Sequence, residues 1–478
     1  MTSSNLKSLF QQQAQQFLTQ DEAKSLTARV LGFSKADETR ISIQSGWTGN
    51  TRYAGGQVTT SGDTANTVVT VFCTVGKKRA SATTNVLDDE SLRRTVDLAM
   101  RLARLSPDDP ELMPELGPQQ YAEIKNYFDS TANLSPEQRA TVAKKSIETA
   151  EGIWKTASAP GALFMAGFLD AQAGATIVAN NKGLFAYHRS SSVRLSNTAR
   201  TPDATGSGWA GSNARDWAQI DPAFLGRRAG QKAVQSRNPV AIEPGLYTVV
   251  LEPAAAAQLV GQVAGALNAR AAEEGRNAFS QRGGNGGTKL GMKVFDERVS
   301  FYSDPSDPDI LGDPFDAEGF PEGKNVWIDK GILKQLQYNR FWAQKKGVQA
   351  NAGGGGGRGG GGGGGGRGGG GVRMAPGTKS LDQLIAECER GVLCTHFFYT
   401  NVLDPRSMML TGITRDGTFL IEKGKIVKPV KNFRFNQSIV QMLNSIEEIG
   451  KSDRAESGSP APPMRVKDFN FASLSDAV

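Results

Sequence analysis

One stretch decides the fold of the C-terminal half: Tyr247-Thr-Val-Val-Leu251, followed by Glu252-Pro253 and an alanine-rich run from Ala254 to Arg270. The β-branched run predicts a strand, and the alanine-rich run after the proline predicts a helix. Side chains one turn apart on such a helix point to the same side, where metal ligands could meet. Residues 254–272 include no His, Asp, Glu or Cys, so this helix provides no ligand for a metal. We expect Glu252 to cap the helix.

The length of the chain predicts several domains, since 478 residues are too many for one hydrophobic core. The Pro- and acid-rich segment Ser106–Pro118 marks the first boundary. We expect an N-terminal α+β domain at residues 1–110, a central α+β domain at 119–238 and a mainly β domain at 242–478.

Charge and cysteine usage narrow the function classes. The chain has 55 Lys and Arg against 48 Asp and Glu, and because these charges are interspersed we expect no nucleic-acid partner. No apolar run reaches the roughly 18 residues of a membrane span, and residues 1–7 lack the apolar core of a signal peptide. Three cysteines, Cys73, Cys388 and Cys394, make no disulfide framework, so we expect a cytoplasmic protein.

The histidine count weighs against metal catalysis. His188 and His396 are the only two histidines, whereas a catalytic zinc commonly takes three protein ligands, often including two histidines. The sequence therefore predicts no catalytic residue, no cofactor-binding residue and no metal ligand in this chain. We interpret His188 as a surface or strand residue and Trp209 as a packing residue.

Alternating polar and apolar residues predict an antiparallel meander near the N-terminus, covered by a helix that begins at Asp88 or Asp89. Its strands are the runs Thr39–Ser45, Thr51–Ala54, Thr67–Thr74 and Lys77–Thr84. We interpret Gly206-Ser-Gly-Trp-Ala-Gly211 as a flexible loop. The C-terminal half shows further strand runs, including a hairpin over residues 326–334, with few helices. The fold class is therefore α+β: an N-terminal antiparallel sheet with covering helices, then a mainly antiparallel β domain.

The region 353–371 contains seventeen glycines broken only by Arg358 and Arg367. Such a tract cannot recover its ordering entropy by burying side chains, so we expect a mobile loop. An RNA contact of the arginine–glycine type is the alternative, but no aromatic residue lies between the arginines.

Two other groups of residues suggest chemistry. Cys394 and His396 lie two apart on a predicted strand and so share a face, which would suit a nucleophile and its base. We favour the alternative interpretation, in which the cysteine is buried and the histidine is a packing residue. An acidic run could bind calcium, but its spacing is not that of an EF-hand, and turn formation is favoured because prolines follow several of the acids. This run comprises Asp304, Asp307, Asp309, Asp313, Asp316 and Glu318.

Several short motifs resemble the TldD/PmbA family, the "modulator of DNA gyrase" metallopeptidases, over nearly the whole chain. They are Thr51–Ala54, Asn85–Arg94, Asp316-Ala-Glu-Gly-Phe-Pro321, Ile328-Asp-Lys-Gly-Ile-Leu-Lys334, Pro376-Gly377, Gly391-Val-Leu393, Leu420–Ile426 and Lys467-Asp-Phe-Asn-Phe471.

The resemblance implies a soluble peptidase system of two related subunits that pair. One subunit has an HExxxH zinc helix after a strand like Tyr247–Leu251. The other, TldE/PmbA-like, lacks it. Here the corresponding positions include Gly261, Gln262, Gly265 and Ala266, which form a degenerate metal helix. No cysteine follows Cys394 to match the family's further metal-binding cysteine.

The resemblance therefore implies a non-catalytic subunit, regulatory or substrate-holding, with zinc expected only in an HExxxH-bearing partner. Such a subunit would hold an extended peptide through main-chain hydrogen bonds. The alternatives are a stand-alone peptide-binding or scaffold homodimer, and a metal-independent hydrolase using Cys394 and His396. The candidate peptide groove comprises Gly283, Gly284, Gly286, Asp316 and Gly319.

Overall fold

A computed structural model describes residues 17–157, 160–281, 287–310, 312–351, 371–452 and 461–475. The predicted α+β class is confirmed, with an antiparallel N-terminal sheet, covering helices and a mainly β C-terminal half. Within these ranges, every helix is too short or too polar to cross a membrane. All of the glycine tract except Gly371 lies outside the described residues.

The N-terminal half is built on one antiparallel sheet of six strands in the order β3-β2-β1-β4-β5-β6. The strands are Glu38–Ala54 (β1), Gln57–Val75 (β2), Lys78–Thr84 (β3), Phe164–Asn180 (β4), Phe185–Arg200 (β5) and Ser207–Ala214 (β6). β1 pairs with β2 and β2 with β3, so the predicted antiparallel meander is confirmed. The predicted runs Thr39–Ser45 and Thr51–Ala54 are parts of one strand, β1, and not two strands. β1 also pairs with β4 along most of its length. Strands from the segments 1–110 and 119–238 therefore share one sheet.

Helices cover one face of this sheet, because the side chains on that face are apolar. They are Gln20–Phe33 (α1), Asp89–Leu105 (α2), Asp129–Ala132 (α3), Pro136–Thr156 (α4) and Pro222–Gln235 (α5). Side chains of α1 and α2 form one hydrophobic cluster with Ile41, and those of α4 and α5 form a second with Trp47. Ile41 and Trp47 project from the same face of β1, so the two clusters lie end to end along the strands.

The prediction of a flexible loop over Gly206–Gly211 is wrong, because most of this segment belongs to β6 and is largely buried. Its glycines allow α5 to lie close against the strand. A Cβ atom at Gly208 would lie 2.2 Å from the carbonyl oxygen of Ala229 in α5. Glycine here therefore reflects a close approach of two backbone segments.

The C-terminal half contains eleven strands within the described ranges: Gly245–Leu251 (β7), Phe301–Ser303 (β8), Asn325–Asp329 (β9), Ile332–Leu333 (β10), Arg373–Met374 (β11), Arg390–Asp404 (β12), Met409–Glu422 (β13), Lys425–Pro429 (β14), Phe433–Ser438 (β15), Ile446–Ile449 (β16) and Met464–Leu474 (β17). The ring β12-β7-β17-β15-β13 closes through pairing of β12 with β13. Its interior is aromatic, with Phe397, Phe433, Phe435, Phe469 and Phe471 all buried. β8–β11 form a separate small sheet that contains the predicted hairpin over residues 326–334.

Six short helices accompany these strands in the described ranges: Pro253–Val260 (α6), Gln262–Ala266 (α7), Ala269–Glu273 (α8), Arg340–Lys346 (α9), Leu381–Ala386 (α10) and Ile439–Asn444 (α11). The prediction of one continuous helix from Ala254 to Arg270 is therefore wrong. It is interrupted at Gly261, a residue type that weakens helices, and at Asn268, whose side chain caps α8.

His188 lies on β5, in agreement with the prediction of a strand residue, but it is buried and not on the surface. Its Nε2 lies 3.2 Å from the amide nitrogen of Asn126, which also donates to the carbonyl oxygen of Gly312. Burial lowers the pKa of His188, and the charge of Arg215 lowers it further, against an opposing effect of Asp313. The imidazole is therefore held neutral, and it accepts a hydrogen bond from Asn126.

We expect stability to fall as the pH is lowered through about 6.5, the ordinary pKa of histidine. In that range the unfolded chain binds a proton at His188 that the folded chain does not, and this favours unfolding. The measurement is urea denaturation at a series of pH values. His188→Gln retains a polar side chain but cannot titrate, so its stability should depend less on pH. Identical pH profiles for the two proteins would contradict the prediction.

Candidate functional site

A cavity of about 400 Å³ lies between the six-stranded sheet and the closed ring of strands β12-β7-β17-β15-β13, which we call the barrel. Its lining comprises Phe164, Ala166, Thr198, Arg200, Trp209, His396, Phe398, Arg415 and Asp416. The first five come from β4, β5 and β6, and the other four come from β12 and β13. Both halves of the chain therefore build one cavity, a common location for ligand sites.

A bulge in the β12–β13 ladder shapes one side of this cavity. The register shifts between Cys394 and His396, where Asp416 and Gly417 of β13 lie opposite the single residue Thr395. The Thr395 hydroxyl donates to the carbonyl oxygens of both residues at 3.0 Å. Asp416 has a φ of 56°, in the left-handed region that residues other than glycine seldom adopt. Such backbone strain often accompanies function.

The Asp416 carboxylate connects the two halves of the chain. Its Oδ2 lies 3.2 Å from Nδ1 of His396, and its Oδ1 accepts a hydrogen bond from the Ser207 hydroxyl at 2.5 Å. Burial acts to raise the pKa of Asp416, but its hydrogen bonds to His396 and Ser207 and the charge of Arg415 outweigh burial and lower it. The His396 ring also stacks on Trp209, with centroids 4.6 Å apart.

Gln258 of α6 determines which ring nitrogen of His396 carries the proton. Its Oε1 accepts from the Phe397 backbone N–H at 3.0 Å, and its amide nitrogen lies 3.3 Å from Nε2 of His396. Because the backbone donor fixes the amide orientation, the amide NH₂ donates to Nε2, and the imidazole proton lies on Nδ1 towards Asp416. Both ring nitrogens are engaged. This arrangement positions His396 and does not present it as a free general base.

A buried ion cluster supports the same region. Glu252 lies 2.7 Å from Nζ of Lys232 and 3.0 Å from Arg228, both on α5. Lys232 also donates to the Trp209 carbonyl oxygen at 3.0 Å. Glu252 occupies the N-cap position of the following helix, as expected, but its side chain makes no capping hydrogen bond. It pairs with the two cations instead and so joins α6, α5 and β6.

The positions of the degenerate metal helix lie where α6 meets α7. Gly261 and Gly265 are exposed, Gln262 is half-buried and Ala266 is buried. None carries an imidazole, thiolate or carboxylate, so these residues do not fit the zinc ion of an HExxxH helix. Throughout the part of the chain that the structure describes, no three His, Cys, Asp or Glu residues are grouped to hold a metal.

The structure separates Cys394 from His396. Cys394 is fully buried in the barrel core, whereas His396 stacks on Trp209. The β12–β13 ladder shifts register at this point, and Cys394 and Phe397, three residues apart, both lie in the core, so the two-residue alternation of a regular strand does not hold here. Burial also raises the pKa of the Cys394 thiol, which opposes formation of the reactive thiolate.

Among the candidate groove residues, Asp316 and Gly319 are described by the structure, and neither lines the cavity. Oδ1 of Asp316 accepts two backbone N–H groups at 2.8 Å, and the carbonyl oxygen of Gly319 accepts from the Tyr121 hydroxyl at 2.8 Å. Both residues lie in a packed turn. Asp304 and Asp307 likewise accept backbone N–H groups two residues ahead, which is the turn role predicted for the acidic run. The other candidates lie outside the described residues: Gly283, Gly284 and Gly286.

The sequence did not indicate three residues of the hydrogen-bond network around His396: Ser207, Gln258 and Asp416. One signal was present, because Asp416-Gly417 interrupts a strand-like run and Asp-Gly marks turns and bulges. Ser207 and Gln258 lie far from residue 396 in the chain, so no local pattern indicates them. Trp209 does pack, as predicted, but it packs on the cavity histidine.

Models of three successive family domains match this chain. The PmbA/TldA metallopeptidase domain 1 matches residues 40–103, the central domain residues 134–237 and the C-terminal domain residues 244–473. Metalloprotease PmbA of Escherichia coli O157:H7 is 21% identical over 98% of this chain and 99% of its own length. A metalloprotease of Methanothermobacter thermautotrophicus is 25% identical, over 48% of each chain. A TldD homologue of Haemophilus influenzae is 27% identical over 36% of this chain and 35% of its own. The chain thus spans about half, or less, of the length of the latter two proteins.

Solved structures show the same fold. A protein of Thermotoga maritima described as a modulator of a DNA gyrase has a TM-score of 0.79 and 22% identity, over 94% of this chain and all of that one. TldE from Thermococcus kodakarensis has a TM-score of 0.78 and 20% identity, over 94% of this chain and 99% of that one. The family resemblance seen in the sequence is confirmed, and the chain belongs to the PmbA/TldD metallopeptidase family.

Proposed function

We propose that this chain is a non-catalytic subunit, regulatory or substrate-holding, of a cytoplasmic TldD/TldE-type zinc metallopeptidase that processes unfolded or modified peptides. One observation carries the proposal: residues 254–272 include no His, Asp, Glu or Cys. By the family resemblance, Gly261, Gln262 and Ala266 correspond to the HExxxH ligands and base of a catalytic member. A zinc peptidase needs a metal to polarise the carbonyl group and a base to take the proton from water. The catalytic ion would belong to an HExxxH-bearing paralogue.

The cavity supports a role in holding substrate. Its polar centre is arranged for structure, because the Asp416 carboxylate and both nitrogens of His396 already have partners. The cysteine that could have supplied a nucleophile is buried in the barrel. The residues around the cavity therefore favour binding over bond cleavage.

An exposed apolar arm supports the pairing of subunits. The end of β12 carries Tyr399, Val402 and Leu403, which are 76%, 49% and 57% exposed. Grouped exposed apolar side chains of this size commonly mark a protein interface. The arm is a candidate contact surface for the paralogue, or for a second copy of this chain in the alternative of a stand-alone scaffold homodimer.

The test is to purify the chain alone and with an HExxxH-bearing paralogue from the same genome, and to measure zinc content, assembly and peptide cleavage. We expect cleavage and zinc only in the mixture, and co-elution of the two chains. Tyr399→Asp combined with Leu403→Asp should weaken co-elution. Stoichiometric zinc with metal-dependent cleavage by the isolated chain would end the proposal. A stable homodimer that ignores the paralogue would favour the scaffold.

A further inference from the structure

The cavity combines cationic and aromatic walls. Arg200 and Arg415 line it together with the aromatic rings of Phe164, Phe398 and Trp209. The Arg415 guanidinium lies over the Phe398 ring, 4.2 Å from its centroid. Stacking on a ring leaves the edge of a guanidinium able to donate hydrogen bonds. Such walls suit a ligand with an anionic group next to an apolar one.

The charge of the lining favours an anion. Asp416 is the one acid among the nine lining residues, and both of its oxygens already accept hydrogen bonds, from Ser207 and His396. The lining therefore carries two guanidinium charges against one carboxylate charge, an excess of positive charge. Guanidinium groups recognise carboxylates through paired N–H donors.

The size of the cavity limits what can enter. A volume of about 400 Å³ is near the lower end for ligand sites, so it has room for one or two amino-acid residues and not for a long extended segment. A peptide would therefore reach it by one end. The positive lining selects the C-terminal carboxylate over the N-terminal ammonium. Phe164 and Phe398, 49% and 43% exposed, can receive the last side chain.

We infer that this cavity binds the C-terminal carboxylate of a peptide whose last residue is apolar, with Arg415 and Arg200 as the anion-binding groups. The inference rests on the proposed function in taking the ligand to be a peptide. It gives the subunit a preference for free chain ends, which main-chain recognition alone would lack.

The test compares two short fluorescein-labelled peptides that end in phenylalanine and differ only in a free or an amidated C-terminus. Fluorescence anisotropy with the full chain should show the free acid binding about tenfold more tightly. Arg415→Gln and, separately, Arg200→Gln should remove that difference and leave binding of the amide unchanged. Arg434→Gln, which alters an exposed arginine of β15 outside the cavity, should keep the difference. Thermal unfolding of each variant verifies that it is folded.

Three results would overturn the inference. They are equal binding of the acid and the amide, no binding of either peptide by the chain alone or with its paralogue, and stronger competition by inorganic phosphate than by the free-acid peptide. Equal binding together with paralogue-dependent cleavage would reject this inference and leave the proposed function standing. Zinc-dependent cleavage by the isolated chain would reject the proposed function, whatever the terminal preference.

Discussion

Replacing Glu252 with alanine is expected to lower the free energy of unfolding by about 3–5 kcal/mol, the usual cost of breaking a buried ion pair from one side. The Glu252 side chain is 5% exposed and that of Lys232 is 6% exposed. Removing the carboxylate takes away the buried anion that both Lys232 and Arg228 contact. Urea denaturation followed by tryptophan fluorescence would measure the change.

Glu274→Ala is the matched control for that experiment. Glu274 also pairs with two cations, Arg270 and Arg276, but on the surface. Exposed pairs contribute less than about 1 kcal/mol because water and side-chain entropy offset them. A loss of stability for Glu252→Ala no larger than that for Glu274→Ala would show that the buried cluster does not hold the two halves together.

Much of the fold follows from local signals in the sequence. Asp88 accepts from the Ser91 N–H at the start of α2, and Ser135 forms a capping box with Gln138 at the start of α4. Alternation of polar and apolar residues predicted the meander, because its strands have one buried face. Caps and alternation depend on residues that are close in the chain, so one sequence contains the information they need.

The site was less predictable because distant residues build it. His396 is 138 residues from Gln258, and Asp416 is 209 residues from Ser207. Burial of Glu252 likewise depends on α5, whose cations reach it only in the folded chain. The strand rule that residues two apart share a face also failed at Cys394, since the bulge on β13 interrupts the regular ladder.

Gly208→Ala, the smallest possible addition of a side chain, is expected to destabilise the protein by about 3 kcal/mol, near the upper end for overpacked cores. The new Cβ would lie 2.2 Å from the Ala229 carbonyl oxygen and 2.6 Å from the Ala233 nitrogen. Both are backbone atoms of α5, so the helix itself must move. That movement would also displace Lys232 from Glu252 and from the Trp209 carbonyl oxygen, loosening the wall of the cavity.

Gly265→Ala separates this steric effect from the general effect of replacing glycine. A Cβ at Gly265 meets no atom within 4 Å, and alanine favours a helix over glycine by up to about 1 kcal/mol, so this variant should be as stable as the natural protein or more so. Thermal and urea unfolding of the two variants would be compared. If Gly208→Ala behaved like Gly265→Ala, the glycine at 208 would not be needed for helix packing. The flexible-loop interpretation of Gly206–Gly211 would then regain support, because a mobile segment accommodates an added methyl group at little cost.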